Sequence, residues 1–168
     1  MKSRAIGFDE RVYVGTVGLE REWLRYAVPV GRVLFALLFL LSAPRHFLRS
    51  TVAYAASAGV PAPGLLVPLA GAIALAGAIS VIIGFYARIG ALLLIIFLVP
   101  VPLLMHQFWA VNDPVMAMIQ EAAFFKNVSI LGAAVMLLYW GAGPVSVDWV
   151  RARKAPVRPS EPPPAQAA

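Results

Sequence analysis

Cysteine is absent from this 168-residue chain. That excludes disulfides, thiol catalysis, iron–sulfur ligation and palmitoylation together. Charge is also scarce. Charged residues make up 13% of the chain, roughly half the ~25% usual for a soluble domain. Histidine occurs twice. Ser42, Ser80 and Ser129 have no histidine and carboxylate at a matching depth, so a serine hydrolase finds no support. What fills the chain instead is apolar: 61% hydrophobic residues and a mean hydropathy of +0.81. The length gives room for one domain, and a soluble core of that size could not hide so much apolar surface. The net charge of +6 is concentrated at the two ends of the chain. There it reads as topology signal and anionic-lipid contact, with no nucleic-acid surface.

A membrane span needs about 20 mostly apolar residues. Four stretches meet that length, at about 28–47, 65–86, 89–108 and 122–141. Lipid offers no partners for backbone amides, so each must be a helix. The expected fold is an all-α integral membrane protein: a bundle of four transmembrane helices spanning 27–148. Residues 1–26 precede it, with a short helix over Leu19 to Tyr26 leading into the membrane. A short surface helix is expected near Thr51 to Val60, ended by Pro61 and Pro63. Residues 149–168 form a Pro-rich tail, disordered from about Ala155. Ala87 and Arg88 alone separate the second and third spans, which requires a tight hairpin. Ala70, Ala74, Gly77 and Gly84 make the second span suited to close packing at the bundle centre. Pro100 and Pro102 should kink the third. The first span has the basic flank and apolar core of a signal peptide. It starts too far into the chain, however, and Leu41 and Pro44 spoil the cleavage site, so it reads as an uncleaved anchor.

Lys and Arg divide eleven to three between the two sides of these spans. The eleven include Arg32, Arg88 and Arg151; the three are Arg45, Arg49 and Lys126. The positive-inside tendency therefore puts both termini and the Arg88 corner in the cytoplasm. The expected location is a multi-pass protein of the cell (inner) membrane. Trp140 and Trp149 fall in an inner aromatic belt, Trp109 and Phe125 in an outer one.

Mapped onto that topology, the polar residues gather near the outer leaflet. Arg45 and His46 end the first span, His106 and Gln107 end the third, and Lys126 with Asn127 opens the fourth, with Asp113 and Glu121 in the loop between. Ionisable residues at membrane depth are functional candidates by default. Headgroup-level snorkelling is the plainer account, and it is preferred for Arg49. Three chemistries fit the cluster. The two histidines could ligate a haem iron, though nothing else marks a porphyrin slot. A quinone head group could lie between a histidine and Lys126. Arg45 and Lys126 could hold an anion or lipid head group. No metal site is expected, and the cofactor is left open between these.

Three groups of residues carry a family likeness. They are Gly31-Arg32-Val33-Leu34-Phe35 with Ser42-Ala43-Pro44-Arg45-His46-Phe47; Gly59-Val60-Pro61-Ala62-Pro63 with Gly84-Phe85-Tyr86-Ala87-Arg88; and Phe125-Lys126-Asn127-Val128-Ser129-Ile130-Leu131-Gly132 with Gly141-Ala142-Gly143-Pro144-Val145-Ser146-Val147-Asp148. On these the chain resembles the DoxX-like membrane proteins of bacteria and archaea, from about Val30 to Asp148. The resemblance implies a compact four-helix membrane protein associated with redox biology, since that family is named for a subunit of a thiosulfate:quinone oxidoreductase. Many of its members carry a Glu about where Ala74 stands, so a catalytic role transfers weakly. The expected function is an accessory subunit of a redox or quinone-linked membrane system. The alternatives are a protein that binds or moves a small lipophilic molecule, or a membrane scaffold. Expected partners are membrane lipid and either a second copy or a redox subunit.

Overall fold

The computed structural model describes residues 22–154. Residues 1–21 and 155–168, which hold most of the expected amino-terminal segment, the Leu19–Arg21 start of its short helix and the stretch of the tail expected to be disordered, lie outside the described residues. Helix α1 is Ala27–Ser42, flanked by 3-10 turns at Glu22–Tyr26 and Ala43–Phe47. The surface helix follows as α2, Arg49–Ser57. Next come α3, Pro63–Ile83; α4, Ala87–Leu98; α5, Pro100–Met105; α6, Pro114–Trp140; and α7, Val147–Lys154. Among the described residues, four stretches are long and apolar enough to cross a membrane: Leu24–Phe47, Pro63–Ile83, Ala87–Ala110 and Pro114–Trp140.

Three boundaries differ from the sequence expectation, each for a local reason. The corner between the second and third spans is Gly84 to Tyr86, and Ala87 and Arg88 already belong to α4. Gly84 ends α3 in the left-handed region (φ +68°) and its N–H donates to Ser80 O at 2.9 Å, the usual use of glycine past a helix end. The fourth span starts at Pro114, not near 122. Asp113 caps it by accepting from the Met116 N–H at 2.8 Å, with Pro114 in the first turn, where its missing N–H costs nothing. Glu121, Lys126 and Asn127 therefore sit inside a 27-residue helix, not in a loop or at its opening. Residues 149–154, placed from sequence with the tail, are helical as part of α7.

The third span bends where Pro100 and Pro102 remove two backbone donors, and α4 gives way to α5 across Val99. Helix α3 packs against α1, α2 and α4, and α4 packs in turn against α6. Close approach explains much of this. A Cβ on Gly77 would lie 2.9 Å from Gly90 O, and one on Gly71 would lie 2.6 Å from the Cβ of His46. Phe39, only 1% exposed, anchors the core with Leu94, Leu98 and Val81. Its ring meets Phe97 edge-on at 6.0 Å. Leu34, Leu65, Leu92 and Val135 face outward, as expected where the surrounding solvent is lipid.

Candidate functional site

At the histidine end, the six residues singled out from sequence are positioned by separate local contacts. His46 lies in the 3-10 turn that closes the first span. Its Nδ1 is 3.2 Å from Ser42 O and its ring sits edge-on to Phe97 at 5.4 Å. A carbonyl only accepts, so Nδ1 carries the proton. His106 Nδ1 bonds Gln120 Oε1 at 2.8 Å, tying the end of the third span to α6. Gln107 Nε2 donates to Leu103 O at 3.0 Å, one turn back. Asn127, 7% exposed, donates to Ala123 O at 2.9 Å within its own helix. Arg45 and Lys126 are exposed. Among the described residues no hydrogen bond joins any two of these six. Nearby, Phe108, Trp109, Phe124 and Phe125 interlock, with centroids 5.0 Å apart for Phe108–Trp109 and 5.4 Å for Phe124–Phe125.

The deeply buried charge is at the opposite end. Arg32 stands within the first span and is 4% exposed. Its Nη2 donates to Val145 O at 2.6 Å, while Nε and Nη1 have no hydrogen-bond partner. Several backbone features make room for it. Gly84 has no side chain, and a Cβ there would collide with Arg32 Nη1 and with Ser146 Cβ. Val145 adopts φ +53°, a conformation that costs a β-branched residue roughly 1–2 kcal/mol, and its carbonyl reaches the guanidinium.

Asp148 holds this end together. Its Oδ1 accepts from Tyr86 N–H at 2.9 Å and Oδ2 from Ala87 N–H at 3.0 Å. Its own N–H donates to Gly84 O at 2.8 Å. The carboxylate thus caps α4 across 61 and 62 residues of chain, satisfying amides that helix starts leave open. Asp148 also acts on Arg32 electrostatically, with no hydrogen bond between the two side chains among the described residues. Arg151 lies over the Phe85 and Tyr86 rings at 5.3 and 5.2 Å, a cation–π contact that fixes α7 on the same corner.

Several cavities open at this end and share walls. A groove of about 290 Å³ runs between the first and fourth spans, bordered by Val28, Gly31, Arg32 and Phe35 on one side and Ala133, Met136, Leu137, Trp140 and Gly141 on the other. A basin of about 500 Å³ adjoins it, with Tyr86, Arg88, Ser146, Asp148 and Trp149 among its walls. Trp140 and Gly141 border both. Arg88 Nη2 donates to Tyr139 O at 3.1 Å, which seats the arginine against the end of α6. The arrangement combines an apolar slot with a buried cation and an aromatic rim, a combination that suits an amphiphile. Sequence reasoning noted Arg32 in the charge count, in the family likeness and as the exception in the cytoplasmic half, without making it a site candidate. The signal was a charged residue four positions into the first expected span.

Comparison with known proteins agrees with the membrane fold and corrects one expectation. The Inner membrane protein YphA of Escherichia coli strain K12 is 32% identical over 121 residues, which cover 71% of this chain and 86% of that protein. No solved structure matches the chain. The family model that matches is that of the SURF4 family, over residues 64–154, the stretch that holds the corner, Asp148 and α7. The DoxX-like likeness read from sequence is overturned by that match. The chain is a membrane protein that belongs to the SURF4 family.

Proposed function

We propose that this protein is a non-enzymatic membrane protein that binds a small amphiphilic molecule in the groove between its first and fourth spans. The observation that carries the reading is Arg32. Burying an ionised side chain is costly, and here Arg32, 4% exposed, forms part of the wall of a groove that opens between helices. The eleven-to-three division of Lys and Arg supports an orientation with both termini and the Arg32 end at the cytoplasmic face. A redox or quinone-linked role has less behind it, since the DoxX-like likeness is gone.

Ala133→Phe fills the groove from its exposed rim and leaves residue 32 unchanged. Mass spectrometry of lipids extracted after purification in a mild uncharged detergent should find a single-chain amphiphile with the natural protein. The variant should retain several-fold less of it at equal folded yield. Equal retention by both proteins would count against the groove.

A further inference from the structure

We infer that a second site, apart from the groove, holds an anionic phospholipid where α4 begins and α6 ends, with its phosphate against Arg88. Arg88 is the second residue of the third span and Trp140 the last of the fourth, so both stand at head-group depth. A cavity of about 760 Å³ shares these two residues with the basin of about 500 Å³. Its other walls are Val135, Leu138 and Tyr139. Val135 precedes Trp140 by five residues, which puts it about 7.5 Å deeper along the helix. The cavity thus runs from a cation at the surface to apolar side chains below, the order of groups in a phospholipid. Arg88 has donors to spare. It is exposed, and among the described residues its one hydrogen bond is that of Nη2 to Tyr139 O. A guanidinium carries five N–H donors in a planar fork that matches phosphate oxygens in pairs. Asp148 lies in the basin wall, but among the described residues no hydrogen bond or ion pair joins it to Arg88. Further positive charge backs the same walls. Arg151 lies 5.2 Å from the Tyr86 ring and Arg153 lies 4.3 Å from the Trp149 ring, and both rings line the basin. Three cations against one carboxylate favour an anion. A zwitterionic head group would bring a cation of its own to this end. Arg88, Val135, Leu138 and Tyr139 do not border the groove between the first and fourth spans, so the two sites are separate.

The test is native mass spectrometry of the full chain in an uncharged detergent, titrated with phosphatidylglycerol or with phosphatidylcholine of the same acyl chains. Phosphatidylglycerol should bind in one saturable step, about fivefold or more tighter than phosphatidylcholine. Arg88→Gln should remove that preference. Arg49→Gln, which deletes an exposed cation at the opposite end of the bundle, should keep it. Val135→Trp should weaken both lipids by filling the apolar part of the cavity. Inorganic phosphate should displace little of the bound lipid. If Arg88→Gln does not fold, the head-group comparison in the natural protein and in Val135→Trp decides. Equal binding of the two lipids by the natural protein, or the same loss of preference in Arg88→Gln and Arg49→Gln, would overturn the site. Displacement by inorganic phosphate as effective as by phosphatidylglycerol, with no effect of Val135→Trp, would mean a free phosphate and overturn the lipid.

Discussion

At the scale of single residues, Gly84 carries an unusual load. It ends α3 in the left-handed region and leaves the space that Arg32 Nη1 and Ser146 Cβ occupy. Gly84→Ala therefore incurs the left-handed strain and a steric collision with a buried side chain. The expected loss is about 2 kcal/mol or more, measurable as a lower midpoint of unfolding in detergent. A loss near zero would mean that Arg32 moves freely, which the hydrogen bond to Val145 O argues against. From sequence, a glycine at this corner was legible as a turn. Its second duty was not, because nothing in the local pattern links residue 84 to residues 32 and 146. Those contacts exist only once the chain after the last span folds back on the corner.

At the scale of elements, the helices were read well where hydropathy alone decides and less well where capping decides. The first three spans fall within a few residues of expectation. The fourth begins eight residues early because Gln120 and Glu121 interrupt the apolar run, whereas Asp113 followed by Pro114 is a helix start by capping chemistry. That shift changes the candidate site, since Gln120 becomes helical and faces His106. The pair ties the end of the third span to α6. His106→Ala and Gln120→Ala should each destabilise by about 1 kcal/mol, with a coupling of about 0.5–1 kcal/mol in a double-mutant cycle. Additive effects would show that the 2.8 Å contact contributes nothing of its own. The residues 149–154 were misread for a similar reason. Trp149 and the basic run after it look like the start of a polar tail, but Ser146 accepts the Trp149 N–H at 3.1 Å and Asp148 docks the segment on the corner.

At the scale of the whole molecule, a count of apolar runs was enough to give four membrane helices, and the structure agrees with it. Burial was the part that sequence withheld. Depth along a span is readable from position, whereas the side of a helix that a charge faces depends on packing. That Arg32 is buried, while the candidate Arg45 and Lys126 are exposed, emerged only once the helices were assembled. The proposed orientation has a direct check, since the natural chain has no cysteine. Single cysteines placed at Ala62 and Arg88 should differ in cells: a membrane-impermeant maleimide should label the first and spare the second, and the reverse would invert the topology.

The central claim is that ligand binding belongs to the Arg32 groove and not to the histidine end. It is tested most directly by photolabelling the full-length protein with a diazirine-bearing palmitate and mapping the modified residues. Labels confined to the Val28–Phe35 and Ala133–Gly141 walls, and competed away by unlabelled palmitate, are the predicted result. Labels concentrated around His46, His106 and Lys126, or spread evenly over all lipid-facing residues, would contradict it.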